Sequence, residues 1–170
     1  LTVQQGHCVA YGKLLPLTPI LEILREIFGI RAEDDDGEAR RKIAGTLVLL
    51  AEEVREMLPL VFDTMGVPDS EHPAPAMDPE VRQRRLFEFV KRMIRARSAR
   101  EPTVLFLDDL QWIDVASDAY LANWVEAIRG TRTLILLNFR PEYRAPWMAT
   151  SYYQQLPLQP LGPDAIEELL

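Results

Sequence analysis

Two adjacent carboxylates, Asp108 and Asp109, are the residues whose type and spacing most clearly indicate chemistry. They follow the apolar run 104–107, which has the length of a strand buried on both faces of a parallel sheet. Ligands bind at the carboxyl ends of such strands. Two like charges side by side repel each other unless a cation or hydrogen-bond donors lie nearby. A Mg²⁺ ion would supply that cation, so the pattern predicts a metal site with Asp108 as the ligand.

An apolar strand that ends in such a pair is the Walker B pattern of P-loop NTPases, in which the first aspartate holds the metal on the nucleotide phosphates. The alternative is that both aspartates only cap the following turn, because aspartate is common there. Asn138 and Arg140 follow the next apolar run, 133–137. An amide at that position can sense the γ-phosphate or orient water, and an arginine can neutralise phosphate charge. The alternative for Arg140 is a surface ion pair with Glu142.

A phosphate-binding loop of the form G-x-x-x-x-G-K-[ST] does not occur in this sequence. In the pair Gly12-Lys13, His7 stands where the first glycine is required and Leu14 stands where the hydroxyl is required, so we interpret the pair as an ordinary turn. The sequence begins at Leu1 in an apolar segment and ends in a helical pattern. We therefore expect an internal piece of a longer protein.

The elements that must position these residues alternate between strands and helices, which favours an α/β fold with a mostly parallel sheet. Predicted strands are 1–10, 103–108, 133–138 and 155–158. Predicted helices are 18–28, 39–57, one that begins at Pro79, 117–129 and one that begins at Pro163. Thr18 and Asp78 each precede a proline and are expected to cap their helices. Prolines from Pro59 onward predict a long connection, and Asp114 is expected to cap or order the turn before 117–129.

Composition limits the possible functions of these 170 residues. With 48% hydrophobic and 26% charged residues, the chain resembles one globular domain, and no apolar run approaches the roughly 18 residues of a membrane span. A single cysteine, Cys8, excludes an internal disulfide and fits a reducing compartment, so we expect a cytoplasmic protein. The net charge of −7 argues against nucleic-acid binding. The basic stripe between Arg82 and Arg100 is interpreted as a solvated helix face.

Four sequence blocks resemble known proteins. The string VLFLDDLQWID, which ends at Asp114, resembles the Walker B region of STAND-type signalling ATPases. The blocks 6–28, 137–147 and 151–170 are similar to bacterial predicted ATPases, which often lie beside class III adenylate/guanylate cyclase domains and tetratricopeptide repeats. Together the blocks cover nearly all of the chain in order, so the resemblance is specific. It implies a partial ASCE-class, AAA-like P-loop NTPase domain over 1–170, a three-layer α/β/α fold that lacks its first strand and Walker A motif.

The resemblance also implies roles and partners. Asp108 would bind Mg²⁺ through water, Asp109 would polarise the attacking water, Asn138 matches a sensor position, and Arg140 matches the arginine that follows it. ATP and Mg²⁺ are the implied cofactors of an ATP-hydrolysing regulatory switch in a multidomain signalling protein. Implied partners are attached cyclase or tetratricopeptide-repeat domains and further copies in a nucleotide-dependent oligomer. Alternatives are a non-hydrolysing scaffold and a DNA-associated, initiator-like ATPase that uses helix 82–97. The missing first strand and phosphate-binding loop would come from just upstream of Leu1, and that strand would lie between 133–138 and 155–158.

Overall fold

A parallel three-stranded sheet forms the centre of the protein. The computed structural model describes residues 1–10, 16–50 and 52–158. Strands β1 (Thr2–His7), β2 (Thr103–Asp108) and β3 (Thr133–Leu137) lie in the order β1-β2-β3, with His7 opposite Asp108 and Thr103 opposite Thr133. The predicted α/β class and parallel sheet are therefore confirmed, and β2, which carries the acidic pair, is the central strand of the three.

Five α-helices accompany the sheet in the described residues: α1 (Thr18–Phe28), α2 (Asp36–Leu50), α3 (Leu58–Thr64), α4 (Pro79–Arg100) and α5 (Val115–Ala127). Short 3-10 turns occupy Glu52–Met57, Leu110–Trp112 and Pro146–Ala149. Within the described part of the chain, no helix is long and apolar enough to cross a lipid bilayer.

The helices bury one face of the sheet. Leu105 and Leu107 of β2 are 2% and 0% exposed and belong to one core with residues of all five helices. Side chains alternate between the two faces of a strand, and on the other face Leu134 and Leu136 of β3 remain 57% and 51% exposed. In β2 itself the far-face residues Val104 and Phe106 are half-buried, so the strand after Pro102 is fully covered on one face and partly covered on the other in the described residues.

Helix α1 packs against β1 and closes its outer edge. The carboxylate of Glu26 accepts a hydrogen bond from the backbone N–H of Gln5 at 2.7 Å, and that of Glu22 accepts one from His7 at 2.8 Å. Gly6 permits this close approach, because a Cβ at that position would lie 2.3 Å from the carbonyl oxygen of Pro19. Two glutamates four residues apart thus satisfy donors that an edge strand otherwise exposes.

Two predicted helix starts and one predicted cap differ from the structure. The helix predicted over 117–129 begins at Val115. Thr18 is the first residue of α1 and not its cap; Leu17 precedes it with a left-handed backbone, φ 68°. The second helix begins at Asp36 and not at Ala39, because Asp35 and Glu38 form a capping box. In that box the Asp35 carboxylate accepts from the Glu38 N–H at 2.7 Å, and the Glu38 carboxylate accepts from the Asp35 N–H at 3.3 Å. The start of α4 at Pro79 is as predicted, with Asp78 directly before it, although the Asp78 side chain makes no capping bond.

The predicted connection from Pro59 onward is also wrong in its first part. Pro59 lies in the first turn of α3, where a missing backbone N–H costs nothing. The helix then buries Leu60, Val61 and Phe62 in the core. The prolines led to the prediction of a connection, but these apolar residues pack the segment into the core with the neighbouring helices.

The predicted fourth strand, 155–158, is not a strand. Leu156 and Leu158 are 85% and 92% exposed, and the segment 155–158 belongs to no helix or strand. A strand requires a neighbouring strand for its backbone hydrogen bonds, and in the described residues β3 pairs only with β2. The predicted helix from Pro163 lies outside the described residues.

Candidate nucleotide-binding edge

The carboxyl ends of the three strands bring the predicted site residues together. The N–H of Asn138 donates to the carbonyl of Leu107 at 3.0 Å, and the N–H of Leu110 donates to the carbonyl of Asn138 at 3.0 Å. On the other side, the N–H of Cys8 donates to the carbonyl of Asp108 at 3.1 Å. The acidic pair therefore lies between the ends of β1 and β3, directly beside the backbone of Asn138.

The backbone turns sharply at Asp109, which has a left-handed conformation with φ 58°. A residue with a Cβ adopts this conformation at a cost of about 1 kcal/mol, and aspartate tolerates it better than most. The Asp109 N–H donates to the Asp108 carboxylate at 3.0 Å, and the fully buried Leu110 anchors the 3-10 turn that follows. The chain thus leaves the sheet between the two carboxylates, and both stay at its carboxyl edge.

Gln111 is a site residue that the analysis of chemical residue types missed. Its side-chain NH₂ donates to Oδ1 of Asp109 at 2.7 Å, while its Oε1 accepts from the backbone N–H of Arg140 at 3.1 Å. The sequence contains one indication of this role, since Gln111 carries an amide side chain and lies only two residues after Asp109. Arg140 is thereby placed beside the pair through its backbone, and its alternative ion pair with Glu142 is not formed in the described residues.

Asp114 has a structural role, as predicted. It is 8% exposed and caps α5, because one carboxylate oxygen accepts from the N–H groups of Ala116 and Ser117 at 3.0 Å each. The other oxygen accepts from the Ser117 hydroxyl and from the Leu17 N–H at 3.3 Å. This carboxylate therefore holds the end of the segment 109–114 against Leu17, the residue before α1. Both of its oxygens are engaged, so it is not available for a ligand.

Several carboxylates surround the end of β1, and their negative charge affects the Cys8 thiol. Burial, followed by the charges of carboxylates that include Asp114, Glu22, Asp109 and Asp108, raises the pKa of Cys8 to about 12. The thiol is 4% exposed and therefore stays protonated at neutral pH. Cys8 is therefore a neutral, inert group next to the acidic pair.

The donor set fits magnesium held jointly with phosphates. Within the described ranges, no group of three or more His, Cys, Asp or Glu side chains is arranged to hold a metal alone. Mg²⁺ usually binds one or two carboxylates and completes its octahedron with water and phosphate oxygens. Asp108 and Asp109 supply that minimal set. The chemistry of the edge therefore fits a metal that is bound together with a nucleotide.

The basic stripe of α4 is partly neutralised by ion pairs. Arg82 pairs with Asp63 at 2.6 Å, and Arg97 contacts Glu101 at 3.5 Å. In the described structure, Arg84 and Arg85 are exposed and form no ion pair. This distribution agrees with the interpretation of a solvated helix face.

Comparisons with known proteins agree with this geometry. A family model described as an AAA ATPase domain matches residues 1–136, which include β1, β2 and the acidic pair. An uncharacterized protein of Rhizobium meliloti (strain 1021) is 28% identical over 87 residues, which are 51% of this chain and 8% of that protein. The chain thus spans less than a tenth of that relative's length, and no solved structure matches it significantly. Because the family model covers well over half of the residues, the chain belongs to the AAA ATPase domain family.

Proposed function

We propose that this chain is part of an ATP-binding and ATP-hydrolysing regulatory switch in a multidomain signalling protein. The observation that carries the proposal is the pair Asp108–Asp109 at the carboxyl end of the central strand, with the Asn138 backbone hydrogen-bonded beside it. The membership of the AAA ATPase domain family supports the same conclusion. ATP binding, output domains and nucleotide-dependent assembly with further copies all belong to the proposal.

Each polar residue of the edge has a role in this function. Asp108 binds Mg²⁺ through water, and the ion would neutralise charge on the nucleotide phosphates. Asp109 accepts a hydrogen bond from the attacking water and orients it. Asn138 lies at the end of β3, where its amide can contact the terminal phosphate, and the Arg140 guanidinium can approach the same negative charge.

We further propose that a strand and phosphate-binding loop from upstream of Leu1 complete the site beside β3. In the described residues β3 is paired on one side only. Its exposed side chains, Leu134 and Leu136, provide an apolar surface that a following helix could cover. A parallel strand at that edge would end next to Asn138, so its loop would bring backbone N–H donors to the phosphates.

Removing the metal ligand tests the proposal in the full-length protein. We expect Asp108→Asn to reduce Mg²⁺-dependent ATP hydrolysis at least a hundredfold, because the neutral amide binds the cation poorly. Asp109→Asn should lower turnover at least a hundredfold, to a small residual rate, and retain binding of a fluorescent ATP analogue. Asp36→Asn, at the exposed start of α2, is the matched control and should change neither property.

Two outcomes would contradict the proposal. Unaltered hydrolysis by Asp108→Asn would exclude its role as the metal ligand. A wild-type protein that binds partners but shows no turnover, whether or not Mg²⁺ is added, would instead support the non-hydrolysing scaffold.

A further inference from the structure

The Gln111 side chain joins two parts of the site that are 29 residues apart in sequence. Its NH₂ group lies 2.7 Å from Oδ1 of Asp109, and its carbonyl oxygen lies 3.1 Å from the backbone nitrogen of Arg140. Both ends of one amide are therefore used, one toward the acidic pair and the other toward the segment after β3.

The bond to Arg140 fixes which end of the amide faces Asp109. A backbone N–H can only donate, so it selects the carbonyl oxygen of Gln111 and turns the NH₂ group toward the carboxylate. The reversed amide would place two donors together at Arg140 and two acceptors together at Asp109. The orientation of Gln111 is thus determined by the end of β3.

The turn itself does not depend on this side chain. Backbone bonds from Trp112 to Asp109 at 2.9 Å and from Ile113 to Leu110 at 3.0 Å close the 3-10 turn. The buried Leu110 and its bond to Asn138 attach the turn to the sheet. Loss of the Gln111 amide would therefore release Asp109 while the turn keeps its shape.

We propose that Gln111 is a positioning residue that holds the Asp109 carboxylate in one orientation and couples that orientation to the end of β3. The inference rests on the proposed function, in which Asp109 orients the attacking water. With Oδ1 engaged by Gln111, Oδ2 is the oxygen that remains for the water, and rotation of the carboxylate is restricted. A displacement of the segment at Arg140 would then change the position of the Asp109 carboxylate.

The first test uses kinetics of the full-length protein. We expect Gln111→Ala to lower kcat about tenfold or more, the effect of losing one hydrogen bond to a charged group, with the Kd for a fluorescent ATP analogue changed less than threefold. Gln111→Glu keeps the size but loses the donor and should be at least as impaired. Gln111→His retains one donor and one acceptor and should recover part of the rate.

A double-mutant cycle separates positioning from a structural role. If Gln111 acts through Asp109, the residual rates of Asp109→Ala and of the double variant Asp109→Ala/Gln111→Ala are equal. Additive losses, or a Gln111→Ala variant whose Tm falls together with its rate, would overturn the inference and leave the proposed ATPase function in place. A wild-type protein without turnover would overturn both.

A nucleotide-free measurement tests the contact itself. The ¹⁵N side-chain amide signal of Gln111, assigned by its loss in Gln111→Ala, should shift in Asp109→Ala and not in the control Asp36→Asn. An unshifted signal would show that the bond is not formed, which would overturn the inference whatever the ATPase rates are.

Discussion

Asp109 shows how one residue combines a backbone and a side-chain requirement. Its left-handed φ of 58° lets the chain turn directly after the strand, and its carboxylate is held by Gln111. The sequence pattern predicted that the two carboxylates lie at the end of a strand, because an apolar run directly precedes them. Gln111 could not be assigned in this way, since its role depends on Arg140, a residue that only the sheet brings close.

Tyr120 of α5 gives a prediction about pH. Burial raises the pKa of its hydroxyl from the ordinary value of 10.0 to about 12, with an opposing influence from Arg82. Above pH 10 the unfolded chain releases this proton and the folded chain keeps it, so stability falls between about pH 10 and pH 12. One such group contributes at most about 1.4 kcal/mol per pH unit.

Tyr120→Phe should make this decline shallower, because the ring still packs edge-on against Phe87 at 4.7 Å but no longer titrates. Urea unfolding at pH 8, 10 and 11 measures the slope. The comparison at pH 8 is the control, because the Tyr120 hydroxyl is protonated there in both the folded and the unfolded chain. Equal slopes for Tyr120→Phe and wild type would show that Tyr120 does not carry the effect.

At the scale of elements, the contact between β1 and α1 gives a stability prediction. Gly6→Ala would place a methyl group 2.3 Å from the Pro19 carbonyl oxygen, a backbone atom that moves only if α1 moves. We expect a loss of about 2–3 kcal/mol, as for other overpacked sites. Denaturant unfolding of the full-length protein measures it.

Gly45→Ala is the matched control for this change. Gly45 lies within α2 and has no atom within 4 Å of the position of an added Cβ, so alanine there should stabilise the helix by up to about 1 kcal/mol. Opposite signs for the two glycine substitutions are expected. A neutral Gly6→Ala would show that α1 is not held close to β1.

Elements with a strong local signal were predictable, and those that depend on neighbours were not. Strands β2 and β3 appear as continuous apolar runs, and α1 has apolar residues at helical spacing. Helix α3 was missed because Pro59 indicates a break unless its place in a first turn is known. The segment 155–158 was predicted as a strand from its composition, although a strand also requires a partner.

On the scale of the whole molecule, the open sheet face links stability to nucleotide binding. Leu134 and Leu136, together with Val3 at 49% exposure, leave apolar area in water that a covering element would bury. Full burial of one such side chain is worth about 1.5–3 kcal/mol. A longer piece of the protein that includes the proposed upstream strand and helix should therefore unfold at higher temperature, and more cooperatively, than these 170 residues alone.

A substitution on the open sheet face tests this arrangement by its different effects on the 170-residue chain and on the longer piece. Leu134→Gln should leave the Tm of the 170-residue chain nearly unchanged, because the side chain is already exposed there, and should lower the Tm of the longer piece by several degrees. Val115→Gln, at a site 90% exposed outside the sheet, should have little effect in either. The longer piece should also bind ATP more tightly. A sharp transition and micromolar ATP affinity in the 170-residue chain alone would contradict the proposed arrangement, since neither would then require a strand beside β3.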